Sequence, residues 1–223
     1  LTFDITDTLS ATAGVRFFEA ENSLRGFFGY SAGYSAMTGE SQCFDQTDFR
    51  RAPCVNLEKV TKEDGNTKRL NLTWRATENA MLYATFSEGF RPGGINRRGT
   101  IPPYKADFLT NYEIGFKTTS ANNRLRFNGA FFRQDWDDFQ YSYLGLNGLT
   151  EIHNAGQARI NGVETEVVWA VSEGFTLSSA LSLLDAKTTV DYCGVTFSAD
   201  DLPVGDPRIG QPVTDCDDPD APD

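Results

Sequence analysis

The chain has 223 residues, 39% of them hydrophobic, and a formal net charge of −11. This length suits a single domain, and the acidic balance argues against a nucleic-acid partner, which requires a basic face. The apolar runs are far shorter than the about 20 residues of a transmembrane helix. They exclude a helical membrane protein but not a membrane β-barrel, whose strands alternate.

Alternation of apolar and polar residues with a period of two predicts an all-β chain of antiparallel strands. In the stretch 67–76, for example, Leu70, Leu72 and Trp74 alternate with polar side chains. Several of these segments exceed the about five or six residues of a typical globular strand and suffice to cross a bilayer at a tilt. In chain order the predicted strands are 1–4, 8–20, 67–76, 80–90, 109–119, 124–141, 157–171 and 175–190.

Short and long connections alternate along the chain. The short ones, 4–7, 77–79, 120–123 and 172–174, are rich in Asp, Asn, Ser, Glu and Gly, as hairpin turns are. The long ones are 21–66, 91–108, 142–156 and the residues from 191 onward. This alternation is typical of an outer-membrane barrel, which has short turns on the periplasmic side and long loops outside.

The two faces of the predicted strands differ in charge. On the polar face, Glu113, Glu164 and Glu166 are expected to pair with Arg124 or Arg126. Aromatic residues near strand ends predict girdles at the membrane interfaces: Phe17, Phe18, Trp74, Phe86, Phe90, Tyr112, Trp169 and Phe175. The residues predicted to face lipid are Leu70, Leu72, Trp74, Phe86, Tyr112, Ile114, Phe116, Phe127, Phe131, Trp169, Leu177 and Leu181.

The four cysteines all lie in polar, loop-like stretches, which favours disulfides formed in an oxidising compartment over free thiols. Four cysteines allow three sets of pairings. Pairing of Cys43 with Cys54 and of Cys193 with Cys216 is favoured, since each bond closes a loop within one connection. The lack of a CxxC motif and the single histidine argue against a zinc site, so no metal and no cofactor are expected.

Four segments, taken in order, resemble the barrel of TonB-dependent outer-membrane receptors over about residues 8–189. They read LYATFSEGFRPGGIN, NYEIGFKT, RLRFNGAFFRQDWDDFQ and NAGQARINGVETEVVW. The resemblance implies about eight antiparallel strands of a transmembrane barrel of roughly 22. It assigns residues 1–190 to this partial barrel, with the extracellular loop 21–66 inserted, and residues 191–223 to a truncated extracellular loop. The plug domain and the closing strand are expected to lie outside this stretch.

The resemblance also implies a location in the bacterial outer membrane and active uptake of a scarce ligand such as a ferric siderophore. The expected partners are membrane lipid, the ligand, and a TonB complex acting through the missing plug. No enzymatic activity and no catalytic residues are expected. Arginine and aromatic side chains on or below the outer loops suit anionic, planar ligands, although each could instead pack the loops. These candidates are Arg91, Arg97, Arg98, Tyr104, Arg133, Trp136, Tyr141, Tyr143 and His153.

Other interpretations stay open. One is a complete eight-stranded outer-membrane barrel with a structural or adhesive role. Another is a secreted β-sandwich binding module, in which Leu72, Phe116, Phe127 and Leu177 would be buried together as its core. A soluble enzyme is the weakest alternative, since the sequence lacks a nucleophile elbow, a metal-ligand cluster and a phosphate loop.

Overall fold

The computed structural model describes residues 1–29, 43–45, 54–120, 122–144, 150–154 and 156–190. All the regular elements in these residues are β-strands, and these residues contain no helix able to span a membrane. The strands are β1 (Thr2–Asp4), β2 (Leu9–Gly26), β3 (Leu57–Thr77), β4 (Ala80–Arg91), β5 (Asp107–Ser120), β6 (Leu125–Asp137), β7 (Gln140–Leu144), β8 (Thr150–Asn154), β9 (Gln157–Ser172) and β10 (Phe175–Thr188).

Eight strands form one antiparallel sheet in the order β1-β2-β3-β4-β5-β6-β9-β10, and β7 and β8 form a separate hairpin. The large sheet is therefore an up-and-down meander, with the small hairpin inserted between β6 and β9. In the described residues β1 and β10 do not pair with each other, so the sheet is open. This architecture confirms the predicted all-β, partial-barrel fold.

The sequence underestimates the length of the strands around the first long connection. The predicted loop 21–66 is wrong at both ends, because β2 and β3 stay paired up to Gly26 opposite Leu57. Residues 21–26 and 57–66 are mostly polar on both faces, so they carry no alternating signal. Backbone pairing to the neighbouring strand extends them as strands. In contrast, the predicted strand 124–141 is interrupted at Asp138, whose φ is 52°.

The register of the sheet places the apolar side chains of neighbouring strands side by side. Leu72 lies opposite Ala84, Ala84 opposite Ile114, Ile114 opposite Phe131, and Phe131 opposite Val163. Leu72, Ile114 and Phe131 are 46%, 60% and 54% exposed. In the described part of the chain, no second sheet covers this apolar face, so it is not the core of a β-sandwich.

The side chains predicted to face lipid occupy this apolar face. Phe86 and Phe116 are half-buried because their rings contact Tyr112 and Phe127, at centroid distances of 5.4 and 5.1 Å. The others are exposed: Leu70, Leu72, Trp74, Tyr112, Ile114, Phe127, Phe131, Trp169, Leu177 and Leu181. Contact of these side chains with lipid remains a prediction.

The apolar residues form a band that runs obliquely across the rows of paired residues. On β2 this face stays apolar up to Val15 and Phe17, whereas Val15 lies opposite the charged Lys68 on β3. On β9 and β10 the face already becomes charged at Arg159 and Lys187, which lie opposite each other. Rows of paired residues are perpendicular to the strands. When the strands tilt relative to the membrane normal, as they do in membrane barrels, a band at constant membrane depth therefore crosses these rows obliquely.

The polar face does not contain the predicted ion pairs. Glu113 accepts a hydrogen bond from the hydroxyl of Tyr83 at 2.6 Å, and Glu166 accepts one from the amide of Asn128 at 3.0 Å. Arg124 donates instead to the backbone carbonyl of Ala170 at 2.9 Å. The prediction that these glutamates pair with Arg124 or Arg126 is wrong, because the register sets Asn128 directly opposite Glu166.

A disulfide joins Cys43 to Cys54, whose Cα atoms are 5.9 Å apart, and this predicted pairing is confirmed. Cys54 is buried together with Val55 and Leu57, which continue directly into β3. The bond therefore fixes the outer end of the β2–β3 hairpin. The other predicted pairing, Cys193 with Cys216, lies outside the described residues.

Candidate ligand-binding surface

Strand β4 separates from β3 at the outer end of the sheet. Their pairing ends at Arg69 opposite Ser87, although both strands continue. Just beyond this point, the carboxylate of Glu88 accepts a hydrogen bond from the backbone N–H of Lys68 at 2.9 Å. The Glu88 side chain thus replaces the backbone acceptor that a paired β4 would provide to Lys68. Beyond this point β4 crosses the polar face of the β2–β3 hairpin.

Two aromatic rings mark this crossing. Phe18 and Phe90 stack with their centroids 3.5 Å apart. Phe18 lies over Gly65, where an added Cβ would come within 2.7 Å of the ring, so glycine is required by this close approach. The prediction that Phe18 and Phe90 belong to a girdle on the apolar face is therefore wrong, since the two rings pack against each other.

The connection between β4 and β5 rests on the polar face of the β2–β3 hairpin. The carboxylate of Glu63 accepts hydrogen bonds from the backbone N–H groups of Gly93 and Ala106, both at 2.7 Å. The ammonium group of Lys59 donates to the carbonyl oxygens of Gly99 and Ile101 at 2.6 and 2.9 Å. Burial lowers the pKa of Lys59. One acidic and one basic side chain of β3 therefore hold both halves of this loop.

Asp107, at the first position of β5, is the most buried acidic residue of this region, with 1% of its surface exposed. It accepts hydrogen bonds from the guanidinium of Arg91 and from the backbone N–H of Gln140 at 3.0 Å. The guanidinium carbon of Arg91 lies 4.8 Å from the ring centre of Trp136. Burial raises the pKa of Asp107, but these hydrogen bonds lower the pKa by more, so it lies below its ordinary value.

Side-chain amides attach the β7–β8 hairpin to the same loop. Asn96 accepts a hydrogen bond from the N–H of Ile152 at 2.7 Å and donates to its carbonyl at 2.8 Å. Asn154 makes the same pair of bonds with the backbone of Lys105, at 2.8 and 3.0 Å. An asparagine side chain replaces a strand neighbour in both places. We call the joined residues 91–107, 136–144 and 150–154 the loop cluster.

A buried carboxylate lies at the contact between the hairpin and the loop. Glu151 is paired with Arg98 at 3.0 Å and lies 3.7 Å from the imidazole of His153. Burial lowers the pKa of His153, and the neighbouring Glu151 raises the pKa by less. The structure thus favours a neutral His153.

A titration of His153 tests this arrangement. We expect a midpoint below 6.5 and a further decrease in Glu151→Gln, because that variant loses the charge that raises the pKa. The pKa is lower in the folded state than in the unfolded state. The loop cluster therefore loses stability as the pH falls from about 6.5 toward the folded value. The measurement is the imidazole NMR shift, with Glu58→Gln on β3 as the control that leaves the midpoint unchanged. A midpoint at or above 6.5 would contradict this burial.

The structure separates the nine predicted ligand-binding residues into different roles. Arg91 and Trp136 hold Asp107, Arg98 and His153 surround Glu151, and Tyr104 packs over Gly94. Arg133 is paired with Asp135 in the charged region that borders the apolar face. Arg97 and Tyr141 present exposed side chains on the loop cluster, and the side chain of Tyr143 lies outside the described set.

Sequence reasoning missed the polar residues that assemble the loop cluster: Asp107, Glu63, Asn96, Gln140, Glu151 and Asn154. One of them had a usable signal. Arg91 and Asp107 are oppositely charged residues at the two ends of the predicted connection 91–108, and they lie opposite each other in the structure. The others bond across connections whose path the sequence does not define.

Two of the depressions along the strands differ in the chemistry of their lining. One of about 480 Å³ on the polar face is lined by Arg69, Asn71, Tyr83, Glu113 and Lys117, among others. A larger one of about 850 Å³ lies mainly against apolar side chains, including those of Leu72 and Ile114. Since ligand sites need polar groups that fix the ligand's orientation, we place candidate ligand contacts on the loop cluster and the polar face.

The chain matches a family model described as "TonB dependent receptor-like, beta-barrel" over residues 1–213. It is 25% identical over 198 residues to the pesticin receptor of Yersinia enterocolitica, covering 86% of this chain and 26% of that protein. A probable TonB-dependent siderophore receptor of Acinetobacter baumannii is 22% identical over 135 residues, covering 55% of this chain and 17% of the relative.

Solved structures give the same fold. The ferric yersiniabactin uptake receptor of Yersinia pestis has a TM-score of 0.61 at 21% identity, covering 84% of this chain and 26% of that one. The copper transporter OprC has a TM-score of 0.61 at 14% identity, covering 84% and 28%. The chain therefore spans about a quarter of the length of the pesticin receptor and of these two structures.

Proposed function

The chain belongs to the TonB-dependent receptor-like β-barrel family of the bacterial outer membrane, whose members are transporters rather than enzymes. From this premise we propose that the whole protein is a receptor for TonB-dependent uptake of a metal chelate such as a ferric siderophore. The proposed partners are outer-membrane lipid along the apolar face, and a TonB complex acting through a plug domain.

One observation supports the proposal above the others. The long connections at one end of the sheet are assembled into a hydrogen-bonded loop cluster, directly above the polar face that leads along the strands. A ligand captured by this cluster would pass to a surface that carries charged and amide groups. The amide oxygens of Asn111 and Asn128 on that surface are buried and lack a hydrogen-bond partner among the described residues.

The chemistry of the exposed side chains favours an anionic chelate with aromatic groups. Arg97 offers a guanidinium, and Tyr141, 44% exposed, offers a ring in edge contact with Phe139. The guanidinium of Arg91 is half exposed even though it is paired with Asp107. Guanidinium groups and aromatic rings together recognise negatively charged, planar groups. Similar proteins include a probable siderophore receptor and a ferric yersiniabactin uptake receptor, which agrees with a ferric chelate as the ligand.

Uptake of radioiron by cells tests the proposal. Cells that express the full-length protein should accumulate iron from at least one of a panel of ferric catecholates, hydroxamates and phenolates, and loss of TonB should abolish this uptake. Arg97→Ala should weaken ligand binding about tenfold, the value of one charge-assisted hydrogen bond. Lys187→Ala, a change at an exposed lysine of β10 outside the loop cluster and the polar face, is the matched control. Equal uptake with and without the gene, for every chelate, would refute the proposal.

A further inference from the structure

The outer part of β3 has one edge that no described strand covers. β3 pairs with β2 from Leu57 to Trp74, but its pairing with β4 begins only at Arg69. Above that point β4 crosses the polar face instead of continuing alongside. Residues 58–66 of β3 therefore form what we call the free edge.

The backbone groups of the free edge point outward. Along an antiparallel strand the hydrogen-bonding groups of successive residues point to alternate sides. The N–H of Arg75 bonds to Thr8 on the β2 side, whereas the N–H of Lys68 points the other way, to Glu88. Even-numbered residues above Lys68 thus direct their N–H and C=O groups away from β2. They are Glu58, Val60, Lys62, Asp64 and Asn66.

The side chains along this edge are exposed and alternate in charge. Val60 is 56% exposed, and Glu58, Lys62, Asp64 and Lys68 are exposed as well. Native proteins protect free edges with charges, because a bare edge is a template for another strand. An edge that carries charges of both signs also selects its partner, because opposite charges across two strands stabilise their pairing and like charges destabilise it.

The sequence of the free edge is complementary to itself. In an antiparallel pair of two copies centred on Glu63, Lys62 lies opposite Asp64 of the second copy. At the ends of the ribbon, Glu58 lies opposite Lys68 of the second copy, where the side chains can pair although the N–H of Lys68 is already bonded to Glu88. All these charged pairs have opposite sign. The carboxylate of Glu63 is turned away, toward the N–H groups of Gly93 and Ala106.

Existing ion pairs do not block this arrangement. Lys62 lies 2.9 Å from Glu21, Glu58 lies 3.3 Å from Arg25, and Lys68 lies 3.9 Å from Glu88. The side chains of Lys62, Glu58 and Lys68 are exposed in these pairs, whereas that of Glu88 is only 24% exposed. Ion pairs at the surface contribute little. More than half of the surface of the Lys62, Glu58 and Lys68 side chains is exposed, so these three side chains can reach a second partner.

We propose that the free edge pairs with the free edge of a second copy of this protein, as an antiparallel β-ribbon. The free edge lies on the loop side of the apolar band. Antiparallel pairing of two free edges therefore orients the two copies head to head, with their loop clusters facing each other. In cells this geometry joins receptors from two facing outer membranes, and in detergent it gives a head-to-head dimer. The proposal does not depend on the ligand or on transport.

Charge reversal on the full-length protein in detergent tests the proposal by sedimentation. The wild type should dimerise, more weakly at high salt. Lys62→Glu alone and Asp64→Lys alone should each weaken the dimer about tenfold, because like charges then face each other twice. The double variant Lys62→Glu/Asp64→Lys, and an equal mixture of the two single variants, should restore it. Lys105→Glu, the same charge change in the loop cluster, should have no effect.

A second measurement uses the backbone and the membrane. Asp64→Pro removes one outward N–H and is tolerated at a strand edge, so it should abolish the dimer while the protein stays folded. Vesicles containing the wild type should tether to one another, and vesicles containing Asp64→Pro should not. A wild type that is monomeric at low salt and tethers no vesicles overturns the proposal. A dimer that withstands both Lys62→Glu and Asp64→Pro also overturns it.

Discussion

Leu72→Arg is expected to destabilise the protein folded in lipid vesicles by about 2–4 kcal/mol, the cost of an arginine facing the middle of a bilayer. Leu72 is the central member of the apolar run Leu70, Leu72 and Trp74 on β3, with the charged Lys68 beyond one end. The free energy of unfolding, measured by denaturant titration of the full-length protein in vesicles, checks this value. An equivalent loss is expected for Ile114→Arg, because Ile114 is the central member of the apolar run Tyr112, Ile114 and Phe116 on β5.

The neighbouring residue provides the control. Thr73 lies on the opposite face of β3, where its hydroxyl donates to Asn71 at 2.8 Å. Thr73→Arg should lose this hydrogen bond, worth about 1 kcal/mol, and no more. Equal losses for Leu72→Arg and Thr73→Arg would show that the two faces meet the same environment. A larger loss for Thr73→Arg would reverse the assignment of the faces.

The membrane-crossing part of the fold was predictable because one physical rule governs it. When the two faces of a strand meet different solvents, side chains must alternate, and a shift by one residue would reverse every one of them. The alternation around Leu72, Ile114 and Leu177 therefore identifies each segment as a strand and also identifies the apolar face of that strand. The rule stops where the environment becomes uniform. Above the apolar band both faces of 57–66 are polar, and the strand is hidden from a search for alternation.

The candidate site was less predictable for a different reason. Arginine and aromatic residues on the loops could be named from their chemistry, but their partners lie far away in sequence. Arg98 pairs with Glu151, and Asn96 bonds to Ile152, across more than 50 residues. Local rules do not determine such contacts, since they depend on how the connections fold over one another. The Arg91–Asp107 pair is the exception, because the two residues lie at the two ends of one connection between neighbouring strands.

Asp107→Ala is expected to open the loop cluster, with a loss of about 2–3 kcal/mol in local stability. The substitution leaves the N–H of Gln140 without its acceptor and separates Arg91 from its buried partner. Removing one member of a buried ion pair costs about 3–5 kcal/mol, and the exposed half of Arg91 reduces this value. Amide exchange at Gly94, whose N–H bonds to the carbonyl of Tyr104, should become about 30- to 140-fold faster.

Asp137→Ala is the matched control, because Asp137 is a carboxylate on β6 with no resolved hydrogen bond or ion pair to the described residues. The pH dependence gives an independent check of the same contact. The pKa of Asp107 is lowered in the folded state, so its contribution is complete above the ordinary value of about 3.9 and is lost as the pH falls through the folded value. Acid should therefore open the wild-type cluster, and Asp107→Ala should lose this acid sensitivity.

If exchange at Gly94 is the same in Asp107→Ala and Asp137→Ala, the buried carboxylate does not hold the cluster together. In that case the contacts made by Glu63, Asn96 and Asn154 would be sufficient to assemble the outer loops.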